Sequence, residues 1–450
     1  MNVKSVILFI LICIAIYSSI AIINYIVYES HDEREIFFIG DGTTMKVGII
    51  SDFQLGTNAL NPEDWNYPYT LHLIQSLKVL KMQKVQMIII AGDITDDGAN
   101  ESYKAVNQII NSVYPEYKPE LIYVMGNHDY WSAPYINKVL QKRFEDNLGQ
   151  KPFSHKIING YHFIGWGSEN GSMDKSNTDT KWVKKELEYA VKDSKTKPIF
   201  VTTHFPPANI MYGSDEWGSQ EVFDVLKDYP QVICFSGHSH YSLIDDRSIW
   251  QGEFTAINTQ AIAYIELESG KLNGSVPKDE TGNELYARNN YMGLIMNVLD
   301  DKVEIQRISF EENKFYKDPW VIPYPVPINL NRYTLGMLYK NAKKAVFDKD
   351  IDIQIEDGIN IKKETVKIIS FKQAYHENFV HSYKIVLTKN KQNYILHYFS
   401  DFFLMKEKRK ERIRLQLPPS LDAGTYDIAI YALDSYDTPS DPYKSTIEII

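Results

Sequence analysis

Five short apolar runs, each followed at once by a polar motif, constrain the fold of this chain more than any other feature of its sequence. The runs are rich in β-branched residues and contain no charge, which is typical of strands that are buried on both faces. They cover residues 47–50, 87–90, 121–124, 199–202 and 232–235. In open α/β folds, polar groups at the carboxyl ends of such strands lie on one rim of the sheet. We therefore expect motifs that are far apart in the sequence to converge on a single site.

The motifs behind these runs carry the side chains that a pair of divalent metal ions requires. They read Ser51-Asp52-Phe53-Gln54, Gly92-Asp93-Ile94-Thr95-Asp96, Gly126-Asn127-His128-Asp129, Thr203-His204 and Gly237-His238-Ser239-His240. Carboxylate oxygen, imidazole nitrogen and amide oxygen suit Mn²⁺, Fe²⁺ or Zn²⁺, and no thiolate competes for the ion. Two ions about 3.5–4 Å apart can activate a water molecule and clamp both oxygens of an in-line phosphoryl displacement. The sequence therefore predicts a two-metal centre that acts on phosphate esters.

In order and spacing, the five motifs resemble those of the calcineurin-like metallophosphoesterases, over about residues 46–310. The resemblance implies two sets of metal ligands that share one bridging carboxylate. The first set is Asp52, Gln54, Asp93 and His240, and the second set is Asp93, Asn127, His204 and His238. Any one motif would be a weak signal, but five in this order, each behind its own strand, are a specific one.

The same resemblance gives three further residues a role outside the two metals. His128 would protonate the leaving alkoxide, a task that suits imidazole near neutral pH. Asp96 and Asp129 would hold Asp93 and His128 in place, as groups beside metal ligands commonly do. The implied reaction is hydrolysis of a phosphomonoester or a phosphodiester through a metal-bridging hydroxide, and the sequence does not choose between the esters. A nuclease or a cyclic-nucleotide phosphodiesterase is also compatible with the resemblance.

Position 54 departs from the commonest family pattern, because it is Gln where that pattern has His. A carboxamide oxygen should hold Zn²⁺ less well than imidazole does, and it should favour a harder ion such as Mn²⁺ or Fe²⁺. We therefore expect two divalent ions, with Mn²⁺ or Fe²⁺ favoured and Zn²⁺ as the alternative. A different class of function stays open, namely a cell-envelope binding or adhesion protein with a vestigial metal site.

The N-terminus has the composition of a membrane-spanning helix. Residues 5–28 contain no charge, and a helix of that length would be about 36 Å long, enough to cross a hydrocarbon core of about 30 Å. Lys4 precedes the stretch and acidic residues follow it, so the positive-inside rule places the rest of the chain outside the cytoplasm. We expect an uncleaved signal anchor in the cell membrane, with one span and an extracytoplasmic catalytic domain. A cleaved signal peptide is the alternative.

The fold class is expected to be α/β, because helical and strand patterns alternate through the region of the motifs. Helices are predicted at 69–84, 102–114, 133–148, 182–191 and 221–229, and further strands at 153–166, 254–267, 293–299 and 303–310. By resemblance to the metallophosphoesterases, these elements form a β-sandwich flanked by helices. Seven short strands at regular intervals follow, and they predict a C-terminal all-β sandwich similar to fibronectin-III-like or immunoglobulin-like modules.

Four prolines in nine residues mark the boundary between these two parts. Prolines at this density make a stiff, extended connector. We expect an N-terminal helix at 1–28, a linker at 29–45, the catalytic domain at 46–318, the Pro-rich linker at 319–327 and the β-sandwich domain at 328–450.

Charge limits the partners that the protein is expected to have. A net charge of −10 argues against nucleic acid, because a polyanion is best met by clustered Lys and Arg. The expected partners are a phosphate-ester substrate and, through the N-terminal helix, the membrane. The C-terminal module has a cell-envelope component as a candidate partner, since its basic run Lys406–Arg414 could bind an anionic polymer or headgroup; a solvated turn is the simpler explanation. The loop Pro206–Gly218 is either a wall of the substrate pocket or a plain connector.

Overall fold

The computed structural model describes residues 34–450 except for 40–43, 133–134, 173–176, 273–275, 279–281, 283, 285–286, 325–332 and 334–342. In its first part, two β-sheets pack face to face and helices cover both outer surfaces. Two smaller sheets form the C-terminal part. Among the described residues no helix is long and apolar enough to cross a membrane, and the predicted span at residues 1–28 lies outside them.

The first sheet of the sandwich has six strands and includes three of the five apolar runs. In spatial order they are β13 (Lys314–Pro323), β12 (Lys302–Ser309), β11 (Met292–Val298), β2 (Met45–Ile50), β3 (Met87–Ile90) and β4 (Glu120–Tyr123). Strands β2, β3 and β4 are parallel, so their carboxyl ends share one rim. Val47 and Ile49 join the core between the sheets, whereas Ile50 joins the core beneath the helices. The apolar runs are therefore buried on both faces, as predicted.

The second sheet has seven strands and includes the other two apolar runs. In spatial order they are β1 (Glu35–Phe37), β5 (Phe153–Ile158), β6 (Tyr161–Trp166), β7 (Ile199–Thr203), β8 (Val232–Ser236), β10 (Thr255–Asn258) and β9 (Ile249–Gln251). Strands β6, β7, β8 and β10 are parallel. The carboxyl ends of β7 and β8 therefore lie on one rim of this sheet, as those of β2 to β4 do in the first.

Helices cover the outer faces of both sheets and complete the predicted sandwich. The structure has α1 (Tyr67–Met82), α2 (Asn100–Val113), α3 (Asn137–Leu148), α4 (Asn177–Asp193), the single turn α5 (Ser214–Trp217) and α6 (Gln220–Leu226). Apolar side chains of α1 to α3 pack on the first sheet, and those of α4 and α6 pack on the second. The expectation of an α/β sandwich flanked by helices is confirmed, although the helix predicted from residue 133 begins at Asn137.

The strand predicted over 254–267 is wrong beyond its first residues. Strand β10 ends at Asn258, and the chain then leaves the sheet to cross the rim. The amide nitrogens of Ile262 and Ala263 donate to the carbonyl oxygens of Ser51 and Asp52. These backbone hydrogen bonds take the place of strand pairing. They bring Tyr264, the next residue, close to the candidate metal ligand His240.

The Pro-rich segment is not a linker throughout, because its first residues belong to strand β13. This strand lies at the edge of its sheet, where a missing proline N–H is tolerated. Pro319 falls in an irregular stretch, since the pairing register with β12 shifts between Ile305 and Arg307. Residues 325–327 lie outside the described part of the chain. The expected boundary at 318/319 therefore runs through a strand, and a free connector can begin only after Pro323.

The C-terminal module is a sandwich of two sheets built from the seven strands that were expected. One sheet contains β14 (Gln354–Ile359), β15 (Thr365–Lys372) and β18 (Arg412–Gln416), and the other contains β17 (Gln392–Phe399), β16 (Ser382–Lys389), β19 (Gly424–Leu433) and β20 (Tyr443–Ile449). The Tyr426 hydroxyl donates to the carbonyl oxygen of Asp422 at 2.8 Å. A tyrosine bound in this way to the corner before its strand is typical of immunoglobulin-like sandwiches.

The module shares a hydrophobic core with the first part of the chain. Buried apolar side chains of one module segment belong to the same cluster as Phe235 and Leu294; they are Phe399, Phe402, Phe403, Leu404 and Met405. The Asn290 side chain also donates to the carbonyl oxygen of Phe403. His381 of the module is buried, and its Nε2 lies 3.4 Å from Oε1 of Glu268. The two parts are therefore joined by a continuous interior rather than by a linker alone.

Three of the six basic residues in the run Lys406–Arg414 form ion pairs within the protein itself. Lys408 lies 2.7 Å from carboxylate oxygens of both Glu311 and Glu312 in the first part of the chain. Arg412 pairs with Asp352, and Arg414 pairs with Glu356. These contacts favour the solvated turn over a surface reserved for an anionic polymer.

Candidate metal centre

The five motifs meet on one rim of the sandwich, between the carboxyl ends of the two sets of parallel strands. The loops after β2 and β3 run side by side, because the amide nitrogens of Asp52 and Gln54 donate to the carbonyl oxygens of Gly92 and Asp93 at 3.0 Å. The loops after β7 and β8 are joined in the same way, from Gly237 N to the carbonyl oxygen of His204. Backbone contacts of this kind fix the positions of the ligand side chains before any ion binds.

Two groups of side chains on this rim can each hold a metal ion, and they share Asp93. Asp52, Asp93 and His240 form one group, and Asp93, His204 and His238 form the other. Within each group, one donor atom from every residue lies within 4.8 Å of the others. These groups contain five of the seven predicted ligands, in the division that the resemblance implies. Carboxylate and imidazole donors fit divalent ions of the Mn²⁺, Fe²⁺ and Zn²⁺ type.

Two of the histidines are oriented by backbone carbonyl groups. The Nδ1 atom of His204 donates to the carbonyl oxygen of Ala91 at 3.0 Å, and that of His240 donates to the carbonyl oxygen of Tyr264 at 3.1 Å. In each ring this leaves Nε2 as the atom that faces the centre, where His240 Nε2 lies 3.4 Å from Oδ1 of Asp52. A hydrogen bond to the far nitrogen is the usual means of setting the tautomer of a metal-binding histidine.

Asn127 and Gln54 supply the two remaining predicted donors. The Oδ1 atom of Asn127 lies 3.0 Å from Nε2 of His204, so its amide oxygen faces the second group. Gln54 is buried, and its Nε2 donates to Oδ2 of Asp93 at 3.4 Å. Turning the Gln54 amide by 180° would present its oxygen to the first group. The ligand roles of both residues stay predictions.

Five of the seven predicted ligands have left-handed backbone conformations that L-residues rarely adopt. The φ angles are 52° at Asp52, 46° at Gln54, 47° at Asp93, 68° at His238 and 57° at His240. Such a conformation costs about 1–2 kcal/mol for a residue with a Cβ atom, and Asn or Asp tolerates it best. Strained backbone that is concentrated in this way is typical of functional sites.

Glycines in the motifs allow the ligand loops to approach one another. A Cβ atom on Gly126 would lie 2.1 Å from Oδ1 of Asp93, and one on Gly237 would lie 2.3 Å from Oδ2 of Asp52. At Gly92, which has a φ of 92°, a Cβ atom would lie 2.3 Å from Nδ1 of His204. These three glycines therefore belong to the site, although they offer it no side chain.

Charges within the site balance one another. Although burial opposes ionisation, the positive charge and hydrogen bond of His204 hold the pKa of Asp93 well below its usual range. Burial in turn opposes protonation of His204, but the carboxylates of Asp93 and Asp52 raise its pKa to about 9. Burial and the charge of His204 lower the pKa of His238 to about 3, so this ring is neutral near pH 7. A divalent cation would take over the charge of His204 and displace its proton, because metal ligands must be deprotonated.

His128 and Asp96 form a pair beside the two groups. The Nδ1 atom of His128 lies 3.0 Å from Oδ1 of Asp96, while its Nε2 lies 3.8 Å from Oδ2 of Asp93. Partial burial opposes protonation, but the hydrogen bond to Asp96 and the charge of Asp93 raise the pKa of His128. The ring thus presents Nε2 to the centre, and Asp96 orients it from behind. This geometry fits the predicted acid and its positioning residue.

Asp129 acts on loops rather than on the two side chains that it was expected to hold. It is fully buried, and its carboxylate accepts from the amide nitrogens of Ile94, Thr95 and Gly126 and from the Tyr103 hydroxyl. No contact from Asp129 to the side chains of Asp93 or His128 is among the hydrogen bonds of the described residues. Asp129 is therefore a positioning residue that ties the loop after β3 to the loop after β4.

Aromatic side chains surround this centre, and among them the sequence indicated only Trp217, through the candidate pocket wall Pro206–Gly218. Trp131 packs against His128 with ring centroids 3.6 Å apart and ring planes tilted by 33°, and Tyr264 lies 4.4 Å from the His240 ring. Trp217, at the end of the loop Pro206–Gly218, meets the His238 ring edge-on at 5.4 Å. This last contact favours the pocket wall over the plain connector. For Trp131, which the sequence reading missed, its position three residues after His128 was a usable signal.

Comparison with known proteins agrees with this arrangement. Residues 45–242 match the calcineurin-like phosphoesterase family. A probable cyclic nucleotide phosphodiesterase of Ruthia magnifica is 31% identical over 159 residues, and a 3',5'-cyclic-nucleotide phosphodiesterase of Nostoc is 27% identical over 184 residues. These matches cover 34% and 38% of this chain, and the chain spans 61% of the length of each relative.

Solved structures were compared with the chain as well. A dimetal phosphatase from Danio rerio aligns with a TM-score of 0.42 at 13% identity, over 63% of this chain and 99% of that one. The family match covers all the predicted ligands, from Asp52 to His240. The segment that matches the calcineurin-like phosphoesterase family, residues 45–242, thus contains both candidate metal-binding groups.

Proposed function

We propose that the protein is a dinuclear metal-dependent phosphoesterase, and that phosphodiesters are its substrates. The observation that carries this proposal is the sharing of Asp93 by two groups of side chains, each able to hold a metal ion. Two divalent cations, when bound, would polarise the phosphoryl oxygens and activate a water molecule. The names of the two curated relatives favour a diester over a monoester. Mn²⁺ or Fe²⁺ is favoured over Zn²⁺, because Gln54 supplies oxygen where imidazole is usual.

The chain's own residues supply the rest of the chemistry. Asp52 and Asp93 bring two negative charges against the four positive charges of two cations, which leaves an excess that attracts an anionic ester. His128 would donate its Nε2 proton to the departing alkoxide, since this nitrogen faces the centre while Asp96 holds the other. Asp129 keeps the loops of Asp93 and His128 in register.

The site is proposed to lie outside the cytoplasm, tethered to the cell membrane by residues 1–28. The segment just after the predicted span is tied to the catalytic domain, because β1 pairs with β5 and Arg34 contacts Glu186 at 2.7 Å. The domain would therefore sit close to the bilayer. Fractionation of expressing cells tests this placement: the full chain should sediment with membranes, and recovery in the cytosol would contradict it.

The function is tested with the purified full chain in detergent, after removal of metals with a chelator. Turnover of a chromogenic diester should appear on addition of Mn²⁺ or Fe²⁺ and exceed that of the matching monoester. His128→Ala should lower kcat by about 100- to 10,000-fold, the range for loss of a proton donor. Asn127→Ala should raise the metal concentration needed for half-maximal activity. The enzyme assignment is wrong if no metal supports turnover or if both variants match the unmodified protein.

The identity of residue 54 should set the preference among metal ions. We expect Gln54→His to retain activity and to shift the preference from Mn²⁺ towards Zn²⁺, because imidazole replaces a neutral oxygen donor. The measurement is activity as a function of each metal concentration, for both proteins, after the same chelator treatment. Gln54→Glu is the companion variant, since it keeps oxygen and should keep the preference for Mn²⁺. An unchanged metal profile in Gln54→His would mean that residue 54 is not a ligand.

A further inference from the structure

The chain exposes three of its seven tryptophans; two of them contact histidines of the candidate metal centre, and the third is linked to it through other aromatic rings. Trp65 is 61% exposed, Trp131 is 58% exposed and Trp217 is 40% exposed, whereas Trp166, Trp182 and Trp320 are buried. A large aromatic side chain is usually enclosed by the protein, and exposed ones gathered at one place mark a binding surface. We call Trp65, Trp131 and Trp217 the tryptophan rim.

Each member of the tryptophan rim has a different aromatic neighbour at or near the centre. Trp131 lies against His128, the predicted acid. Trp217 lies against His238 of the second group. Trp65 reaches the first group through a series of rings: it meets Tyr69 at 5.9 Å, Tyr69 meets Tyr264 at 6.2 Å, and Tyr264 meets His240 at 4.4 Å.

The positions of these rings are set by the same elements that place the metal-binding groups. Trp131 closes the short turn that begins at His128, through its amide nitrogen and the His128 carbonyl oxygen at 3.0 Å. Trp217 ends the loop after β7, and its neighbour Glu216 accepts hydrogen bonds from Tyr241 and Ser269. Trp131 and Trp217 are therefore held in place, while a large part of each side chain stays exposed.

We propose that the tryptophan rim binds a planar heteroaromatic ring on the substrate, so that the ester is one of a nucleoside. This inference rests on the proposed function, because it concerns the ester that the same centre would hydrolyse. The ring is expected to stack on Trp131 when it belongs to the departing alcohol, since His128 must lie next to the oxygen that departs. Stacking of a base on an aromatic side chain contributes about 1–3 kcal/mol, which is about 5- to 150-fold in affinity.

The negative charge of the protein is compatible with this class of ligand. A small nucleoside ester carries one or two charges that the two cations can meet, whereas a long nucleic acid needs many basic contacts along its backbone. The chain has a net charge of −10, and Lys408, Arg412 and Arg414 of its basic run are paired with acidic residues of the protein. The charge of the protein thus favours a single nucleoside ester over a polynucleotide as the ligand of the rim.

The inference is tested by binding, with adenosine 5'-monophosphate and ribose 5-phosphate as probes. The two ligands share the phosphate and the pentose and differ only in the base. Calorimetric titration of the Mn²⁺-loaded full chain should give a dissociation constant at least fivefold lower for the adenosine compound. Trp131→Ala should reduce this ratio to near one, and Trp131→Phe should restore most of it, because a phenyl ring also stacks.

Tyr117→Ala is the matched control, because Tyr117 is 66% exposed but lies before the amino end of β4, at the opposite end of the sheet. It should leave the ratio unchanged. Equal affinity of the unmodified protein for both probes would overturn the inference, and so would equal ratios in Trp131→Ala and the unmodified protein. The titration needs no turnover. If the ratio behaves as expected while no ester is hydrolysed with any metal, the proposed function fails and the aromatic site stands.

Discussion

Alanine at position 126 is expected to lower metal-dependent turnover by at least about 100-fold, although Gly126 offers no side chain to a metal or a substrate. Its Cβ atom would lie 2.1 Å from Oδ1 of Asp93 and 2.5 Å from the Asp93 amide nitrogen. Real Cβ atoms do not approach other atoms so closely, so the shared carboxylate or the Asn127 loop must move. A shift of about 1 Å in a catalytic group can lower the rate about 100-fold. We expect kcat to fall at least that far and metal affinity to fall with it.

The matched control for this substitution is Gly293→Ala in strand β11. There a Cβ atom would meet the Phe310 ring at 2.7 Å and the Ile49 carbonyl oxygen at 2.8 Å, within the sheet rather than in a motif loop. Gly293→Ala should lower the melting temperature but keep the kcat of the protein that remains folded. Measurement of both variants by thermal melting, metal titration and diester turnover separates the two effects. Normal metal affinity in Gly126→Ala would show that metal binding does not depend on the position at which Asp93 is shared by the two groups.

A chain that ends at residue 324 is expected to fail to fold, although it contains the whole segment that matches the phosphoesterase family. The truncation removes apolar side chains that the sandwich core includes, among them Phe379, Phe399, Phe402 and Phe403. A buried side chain of this size contributes about 1.5–3 kcal/mol, and an entire domain is stable by only about 5–15 kcal/mol. The loss of several of them, and of the contact between His381 and Glu268, is therefore comparable with the total stability.

Soluble yield and thermal melting of the truncated chain provide the measurement. Phe403→Ala in the full chain should destabilise it by about 3–5 kcal/mol, the usual range for a buried phenylalanine. Ile395→Ala, in the same module but 59% exposed, should change stability by less than about 0.5 kcal/mol. If the truncated chain melts at the temperature of the full chain, the module is an independent domain and the shared core contributes nothing.

The metal-binding groups could be predicted from the sequence because their signals are local. Each polar motif follows its own apolar strand, and parallel strands place their carboxyl ends together without any knowledge of distant contacts. The resemblance assigned Asp52 and His240 to one metal and His204 and His238 to the other. The structure has the same two groups around Asp93. The role of Asp129 was harder to predict, because its partners depend on how two loops pack.

Features that depend on long-range packing were not accessible from the sequence. Strand β13 runs through Pro319, since an edge position and an irregular register remove the need for its N–H group. The shared core around Phe402 and the tryptophan rim likewise arise from segments that come together only in the folded chain. Exposure of Trp65 or Trp217 has no local signature that would distinguish it from the buried Trp166.

The left-handed conformations of His238 and His240 also bear on the history of the site. Random substitution in a chain that had ceased to use a metal would tend to replace these residues by glycine or asparagine, which adopt positive φ angles more readily. Selection would not remove such replacements, because they would relieve backbone strain and the lost metal site would no longer be needed. Two bulky imidazoles at φ angles of 68° and 57° are instead what continued selection for a working centre would leave. This argues against a protein whose metal site is a relic of an ancestral enzyme.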